Sequence, residues 1–337
     1  MKLLFVGDVM LGRLVNEALK YTASSYPWGD TLDIFQDADY RICNLECGIS
    51  DLGTPWSATP KVFHFRSDAK NVEVLKLAAI NAVSLANNHT LDYGYEAMLD
   101  MLTTLEKAGI SYAGAGKDFK RASAVALPEL GQGSRSTPPP EISLLGMIAF
   151  TDNEPGWAAS EDKPGVFHVP VSLEDRRAKQ LFQMVKEAKT NVDLLILSAH
   201  WGPNWGYRPQ PNHVRFAKAL IDAGADIVFG HSCHVFQGIE IYKGRPILYS
   251  TGNFVDDYAV DETERNDQSF IFIVETDRNE IVRLKLYPTV IRNMQARKAT
   301  GAELRAITSK MIELCSEFGT QAIWQSDEKS LLIDLGK

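Results

Sequence analysis

Two histidines, His231 and His234, follow the apolar run "ADIVFG" at an H-x-x-H spacing. Imidazole is the commonest side-chain ligand for metals, so the pair suits a metal site as well as an ordinary polar turn. Alone it separates nothing, but it has company. Asp8 closes the run "KLLFVGD", Asn44 and Glu46 close "YRICNLE", Asn87, Asn88 and His89 close "INAVSLANNH", and His200 and Trp201 fall in "VDLLILSAHWG". In an α/β sheet the carboxyl ends of the strands share one edge, where ligands bind. These strand ends would carry two carboxylates, one or two amides and up to four histidines to that edge. Taken singly, each residue has a structural use: Asp8 as a helix cap, Asn88 in a turn, Glu46 in a solvated loop. Collected, carboxylate, imidazole and amide without thiolate form a ligand set for one or two divalent ions such as Zn, Mn or Fe. The clustering marks a metal site.

Other residues fall near the same edge. Arg208, in "HWGPNWGYRPQP", has a planar fork suited to a phosphate or carboxylate. Trp201, Trp205 and Tyr207 suit a stacking wall or simple loop packing. Arg13, just after Asp8, is a further candidate for the same anion. Asn253 and Asp256-Asp257 are expected in the floor of the site, where a carboxylate would orient a histidine. Cys43, Cys47 and Cys233 lie among the candidate ligands, yet a small buried hydrophobe is the commoner use of an isolated thiol.

Short apolar runs alternating with helical periodicity predict an α/β chain. Strands are expected at "KLLFVG", "YRICNLE", "INAVSLANNH", "ISYAGAG", "VDLLILSAHWG" and "ADIVFGH", with helices between them, including "GYEAMLDMLTTLEKAG", Leu173 to Ala188 and "HVRFAKALIDAG". The runs "ASAVALPEL" and "EISLLGMIAF" read as paired strands around a variable loop at about 129–140, rich in Gly, Ser and Pro. Two hairpins follow, one turning at Lys243-Gly244 and one at Asp-Arg-Asn (277–279). Gly301 to Phe318 reads as a helix, with a short possible strand after it. One domain is expected over 1–290, with 291–337 a helical extension packed on it.

At 45% hydrophobic and 23% charged residues the chain has the balance of an ordinary globular protein. A net charge of -8 argues against nonspecific binding to nucleic acid, which needs a basic surface. No run approaches the ~18 apolar residues of a membrane span. The opening "MKLLFVGDVM" has too short an apolar core for a signal peptide. Four cysteines in 337 residues make no disulfide framework, the pattern of a reduced, cytoplasmic protein.

In order, "GDVML", "NLE", "LANNH", "HWG", "GHSCHVFQG" and "STGNF" resemble the CapA-type bacterial capsule and poly-γ-glutamate synthesis family, from Lys2 to Asp257. That family is related to the calcineurin-like metallophosphoesterases. The resemblance implies a double β-sheet sandwich flanked by helices, with a dinuclear metal site at the strand ends. It further implies that Asp8 binds the first metal, that Glu46 bridges two metals with Asn44 nearby, and that Asn88 binds the second. His200 would be an isolated ligand, and His231 and His234 would be the closing pair. His89 would face the substrate and protonate a leaving oxygen. Three departures stand out: Met10 occupies the place of a ligand histidine, Glu46 replaces the usual bridging aspartate, and the closing pair is H-x-x-H rather than H-x-H, which implies one ligand of the two and favours His234.

Three functions remain open on these residues. One is a metal-dependent hydrolase acting on a phosphoester or related anionic substrate, in which the metal would bring a water's pKa to ~7 and polarise a phosphoryl oxygen. A second is a metal-dependent epimerase of a peptide or amino acid, with a histidine removing the α-proton. A third is a non-catalytic protein binding an anionic polymer.

Overall fold

A computed structural model describes residues 1–129 and 144–335. The expected variable loop lies outside the described residues apart from Glu129. The strand Lys2–Val9 shows how the sequence builds the frame. Its side chains alternate between two apolar environments, Leu3 and Phe5 in one core cluster and Leu4 and Val6 in another. A strand buried on both faces has no polar alternation, which is why it reads as a continuous apolar run.

Lys2–Val9 lies near the centre of the larger sheet. On one side it pairs in parallel with Tyr40–Leu45, followed by Ala82–Ser84 and Ser111–Ala113. On the other it pairs antiparallel with Gln268–Asp277, followed by Glu280–Arg292, Ser330–Asp334 and Ile323–Gln325. Asn253–Val255 joins the last residues of Lys2–Val9 in parallel. The second sheet runs in the order Ile239–Tyr242, Arg245–Leu248, Ile227–His231, Leu194–His200 and Leu145–Thr151, all parallel but the first. The architecture is mixed α/β.

The two sheets share a core in which Phe5 meets Phe229 and Phe236 meets Phe270, both with ring centroids 5.1 Å apart. Helix Gly94–Lys107 covers the outer face of the first sheet through Met98, Met101 and Leu105. Arg176–Lys189 and Pro211–Ala223 cover the second sheet through Leu181, Val185, Phe216 and Leu220. Because Phe229 is fully buried between sheets, Phe229→Ala should cost about 3–5 kcal/mol. Denaturant unfolding followed by circular dichroism would measure the loss.

The structure corrects several expectations. Among the described residues "ASAVALPEL" does not pair along its length with the strand Leu145–Thr151; a single bridge joins Ala126 to Met147. Asp118 caps a helical turn over Phe119–Ala122, accepting from the Arg121 amide at 2.8 Å, and this removes the first residues from any ladder. Pro128 offers no amide to extend the bridge. The C-terminal extension, assigned as helical, has its helix over Gly301–Ser316, and the short strand expected after it is a pair of strands. After helix Gly301–Ser316, the strands Ile323–Gln325 and Ser330–Asp334 lengthen the larger sheet, because Leu331 and Ile333 alternate into the inter-sheet core. Residue 290 lies inside Glu280–Arg292, so no break in structure falls there. In that hairpin Asp277 pairs with Glu280, which leaves Arg278-Asn279 as a two-residue turn. Arg278 there has φ 52°, as primed hairpin turns require.

Candidate metal centre

Parallel strands of both sheets end at one edge of the molecule, and the chemistry is there. Asp8 and Asn253 are register partners, and so are Asp8 and Asn44. On the second sheet His200 and His231 are register partners at the ends of their strands. Ser232, with φ 100°, turns the chain sharply after His231 and carries His234 round to the other side of Asp8.

Two donor groups result, and Asp8 belongs to both. Asp8, His200 and His231 place one ligand atom each within 4.8 Å of one another; Asp8, Glu46 and His234 do the same. His200 Nδ1 and His231 Nδ1 are 2.9 Å apart, and His231 Nδ1 is 3.9 Å from Asp8 Oδ1. Ser198 Oγ holds the far edge of the His231 ring, 2.8 Å from Nε2. His234 Nδ1 donates to Asn253 Oδ1 at 3.0 Å, which leaves the lone pair on Nε2 for a ligand. Asn44 Nδ2 donates to Asp8 Oδ1 at 2.7 Å, and Asn87 Nδ2 donates in turn to Asn44 Oδ1 at 3.0 Å.

The electrostatics fit cations. Burial pushes Asp8 up to about 7 against the pull of the Asn44 amide and the Ser232 backbone N–H. Glu46 is driven well above the ordinary range by burial and then by Asp8, Asp256 and Asp92. Burial holds His231 at about 3, and His200 well below its usual value, with His231 adding to the effect. Both rings are therefore neutral, as ligands must be. Asp8 Oδ2, Glu46 Oε1 and Asn88 Oδ1 are buried without a hydrogen-bond partner among the described residues. Buried carboxylates packed together need either protons or positive charge, and orphaned oxygens beside neutral imidazoles supply a place for divalent ions.

A profile described as "Bacterial capsule synthesis protein PGA_cap" matches residues 2–258. The chain belongs to the PGA_cap family of bacterial capsule synthesis proteins. It is 32% identical, over 95% of its length and 85% of the relative's, to a "Probable polyglutamine synthesis accessory protein" of Mycobacterium tuberculosis. It is 29% identical to the "Capsule biosynthesis protein CapA" of Bacillus anthracis, over 98% of this chain and 76% of that one. A similar solved structure, TT1561 of Thermus thermophilus, has a TM-score of 0.41 at 10% identity, covering 83% of this chain and 99% of that one.

In this PGA_cap protein a cleft of about 580 Å³ opens beside the donor groups, lined by Asn88, His89 and His234 among others. His89 Nδ1 donates to Asp92 Oδ2 at 2.6 Å, its ring stacks on Phe65 at 3.9 Å, and Nε2 remains for a ligand. Lys61 Nζ reaches the Asn88 carbonyl at 2.7 Å and Asp92 at 3.3 Å. Tyr258 donates its hydroxyl to Glu46 Oε2 at 3.5 Å. None of Lys61, Phe65, Asp92 or Tyr258 was singled out by spacing. Asp92 had a signal, three residues after His89; Lys61 and Phe65 sit in an irregular stretch with none.

Three expected substrate contacts fall elsewhere. Arg208 is 62% exposed and binds Glu317 through Nε and a terminal nitrogen at 2.9 and 2.6 Å, beyond the end of helix Gly301–Ser316. Its loop turns outward, so the fork serves a surface ion pair. Trp201 is 4% exposed, packs against Phe150, His213 and Phe216, and donates to the Tyr249 carbonyl at 3.0 Å. A side chain enclosed this way has no face for a ligand, and of the proposed aromatic wall Trp205 alone lines the cleft. Asn44 is fully buried and committed to Asp8 and Asn87, so it orients the Asp8 carboxylate rather than facing the cleft. His234 is held by the amide oxygen of Asn253, not by the carboxylate of Asp256 or Asp257. The four cysteines are buried and free, and none joins either donor group. Arg208→Ala should leave metal content, turnover and the unfolding midpoint unchanged, as plasma mass spectrometry, activity and a thermal melt would show.

Proposed function

We propose that this PGA_cap protein is a metal-dependent hydrolase acting on a phosphoester or related anionic substrate in capsule or poly-γ-glutamate metabolism. Its paired sheets would form a calcineurin-like metallophosphoesterase sandwich. The observation that carries the reading is the sharing of Asp8 by two donor groups, beside orphaned carboxylate oxygens. Asp8, His200 and His231 would hold one divalent ion, and Asp8, Glu46 and His234, with Asn88, a second. When bound, such ions supply Lewis acidity that polarises a substrate oxygen and acidifies a water.

The chain supplies the rest. Asp92 fixes the His89 ring and its tautomer, presenting Nε2 as the site where a proton is held or passed. Burial holds His89 below the ordinary range while Asp92 pulls upward. An anionic ligand beside the ring favours the protonated form, the state that donates to a leaving oxygen. Phe65 covers one face of His89 and limits the approach of water.

The lowered basicity of His89 also favours a second reading, in which neutral Nε2 removes an α-proton as an epimerase would. The experiment is to load the protein with Mn²⁺ or Zn²⁺ and offer phosphodiesters, phosphomonoesters and γ-linked glutamyl peptides in D₂O. Phosphate release abolished by chelation is the expected result. Deuterium at an α-carbon without phosphate release replaces the hydrolase with the epimerase. Binding of a glutamyl polymer without any turnover replaces both with a polymer-binding protein.

A further inference from the structure

We propose that Arg13 forms an oxyanion subsite in the cleft, distinct from the metal ligands, which recognises an acidic group of the substrate away from the reacting bond. This rests on the cleft being the substrate site. Arg13 follows the strand that carries Asp8 and has φ 50°, a conformation rare for a side chain of its kind. The cost of that backbone is offset by where the side chain goes. The guanidinium carbon lies 5.4 Å from the centre of the Phe65 ring and 5.8 Å from those of Phe63 and Tyr258. Three aromatic rings hold the cation in place without neutralising it.

Its one carboxylate contact among the described residues is with Asp257, whose Oδ2 sits 3.2 Å from Nε and also accepts from the Leu14 amide. Asp257 thus lies against the Nε edge, and among the described residues the terminal nitrogens donate no hydrogen bond. The side chain is 36% exposed and lines the cleft, so the remaining donors are available to a ligand there. Lys61, the other cation of the lining, is already shared between Asp92 and Glu154. The Phe65 ring under Arg13 is the same ring that stacks on His89. Arg13 is therefore one aromatic ring away from the proposed proton donor: near enough to serve the same ligand, and separate from the donor groups around Asp8. Arg13 is a specificity-determining residue on this reading, since a planar fork pairs with two oxygens of a carboxylate or phosphate.

Calorimetric titration of the protein, with and without Mn²⁺, tests this with three probes: γ-linked triglutamate, the same peptide with its carboxylates amidated, and phenyl phosphate. Wild type is expected to bind at least one acidic probe about tenfold or more tightly than the neutral amidated peptide, the effect of one charge-assisted pair. Arg13→Gln should abolish that preference, and Arg13→Lys should restore part of it by keeping the charge without the fork. A preference confined to triglutamate identifies the group as a carboxylate; one confined to phenyl phosphate identifies a phosphate. Thermal melts of both variants check folding, and the lysine variant carries the test if the glutamine variant does not fold. Acidic and neutral probes binding alike, or a preference untouched in a folded variant, overturns the subsite. Mn²⁺ binding that persists in that case leaves the metal reading intact. An Arg13-dependent preference in a protein that binds no metal supports the subsite and sinks the metal centre.

Discussion

Asp8→Asn should remove both metal ions at once, whereas His234→Ala should remove one. Asp8 is common to the two donor groups, and His234 belongs only to the group with Glu46. The amide keeps the size of the carboxylate, so its hydrogen bond with Asn44 is the main local contact at risk, and the strand around it is buried on both faces. What is lost is a negative charge and an oxygen able to serve two ions. Changes in residues that merely support a ligand commonly cost about 10–100-fold in metal affinity, so loss of a shared carboxylate should cost at least that in both sites. Removing a buried carboxylate also relieves the repulsion that raises Glu46, so the metal-free variant should be no less stable than metal-free wild type. Metal content by plasma mass spectrometry on both variants, with thermal melts in chelator, gives the comparison. Equal losses in the two variants would mean that Asp8 is not shared.

His89→Ala should lower turnover by about 10²–10⁴-fold, the range for a positioned proton donor or acceptor, with metal content unchanged. Asp92→Asn should act in the same direction through His89 and by less. Asp92 Oδ2 accepts from His89 Nδ1 and from the Phe65 amide at 2.6 Å, so it aims both the ring and its stacking partner. Asparagine with its oxygen in the place of Oδ2 keeps both bonds but no longer favours a charged imidazole. The expected signature is a fall in kcat larger than any change in KM, with the His89→Ala and Asp92→Asn effects failing to add in the double variant. Additive losses would separate Asp92 from the role of His89.

The candidate ligands were legible because parallel strands carry their carboxyl ends to one edge, and a buried run that stops on Asp, Asn or His marks that edge. Asp8, Glu46, His200 and His234 needed no coordinates to be singled out. The closing pair shows where legibility ended. Spacing favoured His234 over His231, yet each enters its own donor group, because Ser232 at φ 100° reverses the chain between them. Lys61 and Phe65 were invisible for a similar reason. They lie on an irregular stretch whose path depends on what it packs against, here His89 and Asp92. Arg208 and Trp201 misled because chemistry-bearing residues beside a ligand in sequence can turn away from it in space.

By itself the sequence determined the alternating α/β plan, the strand ends that carry the candidate ligands and the membership of a capsule synthesis family. The plan and the strand ends follow from residue types and from periodicity that each strand or helix imposes locally, and the family from its ordered motifs. The tertiary structure alone decided that Asp8 stands between two groups, that Arg13 shares a ring with His89, and that Arg208 serves a surface ion pair. Such relations join residues far apart in the chain, and only the packing of one sheet against the other brings them within reach.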